Sequence, residues 1–248
     1  MINIRQNILR VLSIGSKMKT LMYLRHARAQ IRESFDLPGT IGKQTIKSLL
    51  PPNPLIVEVG SHVGIDTLEF AVMYPQGKVL SFEPQIDLYV AAVARTRTLG
   101  NVCIYPYAIS SELGIHKFYV SSGASTGSSS LLSPTKHLTN HPEVRFDQGT
   151  SQMVLTAPLD QVCRHLGVDK IDLLWIDTQG AELLVLKGAG NMLTSTSFIY
   201  LECSEEPLYE GAATYVEIKE FLNFHGFSLK KEFMPSDWGG EGNALFTR

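Results

Sequence analysis

Val57-Glu58-Val59-Gly60-Ser61-His62-Val63-Gly64, followed by Val79-Leu80-Ser81-Phe82-Glu83-Pro84, is the stretch on which the fold turns. An apolar run feeds a glycine-bearing turn. An amphipathic helical pattern follows, and a second apolar run ends in an acid. This is the layout of a Rossmann-like nucleoside site. Gly60 allows a tight turn, Gly64 allows the helix to pack close, and Glu83 stands where a carboxylate accepts hydrogen bonds from ribose hydroxyls. Glycines alone also sit in strand-to-helix turns for backbone reasons. The acid at the end of the next strand is what favours the nucleoside reading.

Beyond this stretch, strands and helices continue to alternate. Strands are expected near 55–60, 78–83 and 102–107, with helices near 64–74 and 85–98. Such alternation implies a parallel sheet covered by helices on both faces. A short strand is expected over 115–120. The Ser/Gly-rich segment 121–130 is either a connector or a substrate-facing loop. Residues 171–177 read as a buried strand ending in Asp177. A helix follows over 179–193, then a strand over 198–201 ending at Glu202 and a helix over 214–224. Residues 226–233 and 244–247 can close the sheet as an antiparallel pair. His137 and His141 read as part of an exposed loop.

The chain has 248 residues, with 44% hydrophobic residues, enough for one α/β domain and an appendage. Two units are expected: an N-terminal helical extension over 1–50 and a main domain over 51–248, entered through Pro51-Pro52-Asn53-Pro54. Charge is uneven. Residues 1–32 hold Arg5, Arg10, Lys17, Lys19, Arg25, Arg28 and Arg32 and no acid, which leaves fifteen basic residues against twenty-four acids in the rest. So acidic a body argues against a nucleic-acid partner. The extension places Ile4, Ile8, Leu12, Leu21 and Leu24 at roughly helical spacing among those basic residues. Its apolar stripe either docks on the main domain or makes weak contact with a membrane surface. Cys103, Cys163 and Cys203 are far apart and suggest neither a disulfide framework nor a metal site. Arg10, Lys17 and Lys19 interrupt any signal-peptide core, and no apolar run is long enough to span a bilayer, so a cytoplasmic or membrane-peripheral location is expected.

An ordered series of motifs then resembles the FkbM-type methyltransferases. It runs through the quoted glycine stretch and Phe82-Glu83-Pro84. It continues with Ala108-Ile109-Ser110 and Ser128-Ser129-Ser130-Leu131. It is most specific over Ile171-Asp172-Leu173-Leu174-Trp175-Ile176-Asp177-Thr178-Gln179-Gly180-Ala181-Glu182. The resemblance covers about residues 54–248. Glu58 and His62 stand where that family usually has Asp and Asn, and Trp175 and Gln179 where it often has Lys and Glu.

The resemblance implies a class I methyltransferase fold, with a mostly parallel seven-stranded sheet and a terminal antiparallel strand. It implies S-adenosyl-L-methionine as methyl donor and a hydroxyl acceptor on a sugar, glycan or secondary metabolite. The expected donor-binding residues are Glu58, Gly60, Ser61, His62, Gly64, Glu83, Pro84, Tyr107 and Ala108. Catalytic candidates are Asp177, His62 and Glu202. Asp177 is either base or acceptor-orienting residue at the carboxyl edge of the sheet, or merely a cap for the following helix. Ser128, Ser129, Ser130 and Gln179 are the expected acceptor contacts. No metal is expected. Two other classes stay open on the residues alone: a nicotinamide-dependent sugar oxidoreductase and a non-catalytic cofactor-binding protein.

Overall fold

The computed structural model describes residues 41–146, 151–234 and 240–248. The expected helical stripe of residues 4–32 lies outside the described residues, and with it most of the proposed extension. Of the expected helical extension over 1–50, the described residues include α1 (Lys43–Lys47). It ends well before the prolines.

The central sheet is built from β1 (Leu55–Val59), β2 (Lys78–Phe82), β3 (Val102–Tyr105), β9 (Ile171–Ile176), β10 (Thr196–Ser204), β11 (Ser228–Phe233) and β12 (Glu241–Thr247). Its strand order is β11-β12-β10-β9-β1-β2-β3. β12 runs antiparallel to both its neighbours, and the other pairings are parallel. This is the expected class I methyltransferase arrangement. The chain starts in the middle at β1, winds outward through β2 to β3, and returns to place β9 on the other side of β1. The point of reversal therefore lies between β1 and β9, where open α/β sheets leave a crevice beyond the strand ends.

Side-chain alternation along these strands loads both faces. On one face Val57, Val59, Leu80, Phe82, Leu174, Ile176, Ile199 and Leu201 pack against α5 (Leu159–Leu166), α6 (Glu182–Gly188) and α7 (Tyr215–Phe224). On the other face Ile56, Val79, Leu173, Trp175, Tyr200 and Leu245 meet α1 and α2 (Ile65–Met73). There Phe70 meets Trp175 edge-on at 5.1 Å and Trp175 stacks on Tyr200 at 3.6 Å. Lys43 of α1 ion-pairs with Asp66 and Glu69 of α2, which fastens α1 to this face. α3 (Ile86–Thr96) lies beside α2.

A small second sheet, in the order β4-β8-β5, joins β4 (Ala108–Ile109), β8 (Gln152–Ala157) and β5 (Gly114–Phe118). The sequence reading assigned no element to β8 or α5. It also set the helix after β9 too long. Gln179 and Gly180 both adopt left-handed backbone, with φ of 54° and 94°, so no helix begins there, and α6 starts at Glu182. A short β6 (Ser122–Gly123) pairs with β7 (Val144–Arg145) and pins the start of the serine-rich segment. His137, in α4 (His137–Asn140), is buried and not on an exposed loop. Its ring packs 5.3 Å from that of Tyr209 and 5.4 Å from that of Phe146.

Candidate functional site

A cavity of about 300 Å³ opens at the reversal point. Its floor is the turn after β1. Gly60 has φ of 91°, and a Cβ there would stand 1.8 Å from the Asp177 carbonyl oxygen, so only glycine fits. The amides of Gly60 and Ser61 both donate to the Phe82 carbonyl, which closes the turn onto the end of β2. Gly64 has φ of 75°, and its missing side chain lets the start of α2 approach Ala92 of α3.

Three acids define the polar wall. Glu58 is buried at the deep end, where Thr67 and Ser81 hydroxyls donate to its carboxylate. Burial and the nearby Asp66 charge push it up to about 8. Glu83 follows β2 and accepts from the His62 amide at 2.8 Å and the Gln85 amide at 2.9 Å. Burial raises it to about 7 despite those two bonds. Asp177 follows β9. Its side chain is open to the cavity yet surrounded by its walls, and the resulting loss of solvent raises its pKa. The opposite wall is apolar, from Phe82, Leu88, Ala108, Ile109, Phe118 and Leu131.

Of the expected donor-binding residues, Glu58, Gly60, Ser61, His62, Glu83, Pro84 and Ala108 all line this cavity. Gly64 supports it from behind. Tyr107 is not part of its lining. That ring packs instead against Phe82 and Tyr105, at 5.4 and 5.9 Å. Of the expected acceptor contacts, Ser129 lines the cavity and its hydroxyl donates to Gln85. Ser128 and Ser130 are buried, with Ser130 bonded by its backbone to Tyr119. Gln179 and Glu202 sit in an adjoining crevice rather than in the cavity wall. Asp177 does not cap α6, which has no side-chain cap. The turn is closed by Glu182, whose carboxylate accepts from the Thr178 and Gly180 amides.

Sequence reasoning missed Thr126, Gly127 and Asp66 in the lining. Thr126 meets His62 Nε2 at 2.8 Å, so the serine-rich segment folds over the glycine turn. Burial lowers the His62 pKa, which favours its neutral form. No spacing in the sequence announces this contact between distant segments.

The residues fit S-adenosylmethionine. The volume lies at the lower end for a small-molecule pocket. The Ser61 hydroxyl is buried at the cavity with no partner among the described residues, so it is free to bond a ligand. Glu83 retains accepting capacity for ribose hydroxyls, Glu58 suits a cationic group, and the apolar wall suits a flat base. Among the described residues no cluster of His, Cys, Asp and Glu is arranged to hold a metal, and no helix is long and apolar enough to cross a membrane.

Comparison with known proteins agrees with this geometry. The family model for the methyltransferase FkbM domain matches residues 58–229. The 2-O-methyltransferase NoeI of Sinorhizobium fredii is 34% identical over 212 residues, covering 83% of this chain and 84% of that protein. The methyltransferase sdnD of Sordaria araneosa is 31% identical over 160 residues, 56% of this chain and 61% of the other. A crystal structure of an FkbM methyltransferase from Methylobacillus flagellatus superposes with a TM-score of 0.51 at 11% identity and shares the fold. It covers 81% of this chain, which spans 45% of that longer one. Sheet order, cavity and family together select methyl transfer over the nicotinamide and non-catalytic readings: the chain belongs to the FkbM family of S-adenosylmethionine-dependent methyltransferases.

Proposed function

We propose that the enzyme methylates a hydroxyl oxygen, on a sugar, glycan or secondary metabolite, with Asp177 as the base that takes the hydroxyl proton. Bound S-adenosylmethionine supplies an electrophilic methyl group on a sulfonium. The chain's own residues must do the rest: hold the acceptor oxygen in line and remove its proton. Positioning of this kind supplies about 7–11 kcal/mol of a barrier, and a placed base adds about 10²–10⁴-fold.

The observation that carries the reading is the placement of Asp177. It stands at the carboxyl end of β9, beside the Gly60 turn, with its carboxylate facing the cavity and not engaged as a helix cap. His62 is the less suited base, because its Nε2 is already engaged with Thr126. The 2-O-methyltransferase NoeI, similar over most of both chains, supports an oxygen acceptor.

Asp177→Asn tests the assignment. It keeps the shape and removes the proton acceptor. Against a panel of sugar and polyol hydroxyls, release of S-adenosylhomocysteine should fall about 10²-fold or more, with donor affinity within a few-fold of wild type. Near-normal turnover in a folded variant would refute the role and point to His62.

A further inference from the structure

Asp177 and Glu202 stand side by side for a topological reason. Ile176 of β9 is the register partner of Leu201 of β10, so the two acids are the next residues of two neighbouring parallel strands. Strands in register are about 4.8 Å apart, and paired residues point the same way. One side chain spans the two acids. Gln179, held in left-handed backbone, turns its amide back so that Nε2 donates to Asp177 Oδ1 at 2.8 Å and also to Glu202 Oε2. This turn is fixed from outside. A Cβ on Gly180 would stand 2.9 Å from the Tyr209 ring, so the backbone there has no slack.

Two ionised carboxylates on one amide nitrogen repel each other, and the amide carries no charge to balance them. Such pairs keep one proton between them. The environments are unequal. Glu202 faces Glu182 of α6 and Glu241 of β12 in the adjoining crevice, and its pKa is raised well above the ordinary carboxylate range by burial first and then by Asp177. Asp177 opens onto the cavity and faces His62 from the β1 turn and Asp66 from α2. Tyr200 and Tyr209, neutral by burial, complete the surroundings.

We propose that Asp177 and Glu202 form a carboxyl pair that shares one proton, carried on Glu202 at neutral pH, with Gln179 as the positioning residue that aligns both. The proposal deepens the assignment of Asp177 as base and gives it a chemical consequence. The Glu202 hydroxyl donates to Asp177, which stays ionised and oriented toward the acceptor. In the reaction the acceptor O–H bond breaks and its proton goes to Asp177. The oxygen pair forms the new O–CH₃ bond, and the C–S bond breaks with its electrons retained on sulfur. The pair ends neutral, so no unpaired carboxylate is left in the crevice after transfer.

Infrared difference spectroscopy on the protein without donor or acceptor tests the shared proton independently of turnover. Wild type minus Glu202→Gln at pH 7 should show the carbonyl band of one neutral carboxylic acid. Its absence, with carboxylate bands in its place, overturns the proposal even if Asp177→Asn behaves as the base assignment requires. Gln179→Met removes the amide and its preference for the charged forms, so the same band should persist to higher pH than in wild type. An unchanged titration overturns the role of Gln179.

Discussion

Replacing Glu83 by Gln should weaken donor binding by an amount that depends on pH. Glu83 is buried, accepts two backbone N–H bonds, and has its pKa raised to about 7. In the anionic form its remaining lone pairs accept from ribose hydroxyls. A charge-assisted bond of this kind is worth about 1.5–3 kcal/mol, or roughly 10- to 150-fold in affinity. At pH 8 about nine-tenths of the side chain is ionised, and at pH 6 about one-tenth. The affinity ratio of wild type to Glu83→Gln should therefore shrink by about five- to tenfold from pH 8 to pH 6. Glu58 titrates in the same cavity, but it is present in both proteins and cancels in the ratio. Isothermal titration with S-adenosylhomocysteine at pH 6, 7 and 8 reads the effect directly. The Gln side chain turns one N–H toward His62 or Gln85 and costs about 1–3 kcal/mol of stability, so melting must be followed alongside. A ratio near one, or a large ratio that does not change with pH, would refute the reasoning.

Three further outcomes follow from the same geometry. Glu58 is raised to about 8 in the folded protein, so the stability it contributes is fully present below its unfolded pKa near 4.5 and is lost as pH rises through about 8. Without donor, wild type should thus lose melting temperature relative to Glu58→Gln between pH 5 and pH 8.5; a constant gap in calorimetry would contradict this. Gly60→Ala must push the Asp177 carbonyl out of a 1.8 Å overlap, so it should abolish donor binding and destabilise the fold by more than 2 kcal/mol, about the strain of a single special backbone position. Wild-type-like melting and titration would count against it. Tyr209→Phe leaves the Ser128 carbonyl without the hydroxyl that now donates to it at 2.9 Å. It should cost about 1–3 kcal/mol and raise the acceptor KM more than donor Kd. Equal changes in the two would show that the serine-rich segment does not belong to the acceptor side.

Much of the frame was legible because it rests on local rules. Apolar runs of strand length alternate with helical patterns, and Gly60, Glu83 and Asp177 each stand at a strand end. Where the reading failed, the cause lay in contacts between distant segments. The start of α6 is set by Tyr209 against Gly180, and so Gln179 sits in a left-handed turn that its own sequence does not favour. β8 escaped notice because Met153 and Leu155 are apolar yet 66% and 48% exposed, which erases the alternation that marks a half-buried strand. Serines 128–130 look equivalent in sequence. The backbone ladder between Tyr119 and Ser130 turns two of them inward and leaves Ser129 at the cavity.

The strand order also governs when a cavity can exist during folding. β1 meets β2 through a single short crossover, but its other neighbour, β9, is made only after β3 through β8. Long-range pairings of this kind are slow, because loop closure must precede their reward. A chain with only β1–β3 in register has the glycine turn and Glu83 but lacks the Asp177 wall. The donor has nothing complete to grip until the last central pairing is made. A donor that grips only chains with this pairing closed slows unfolding wherever the pairing closes after the transition state, and it then leaves the refolding rate unchanged.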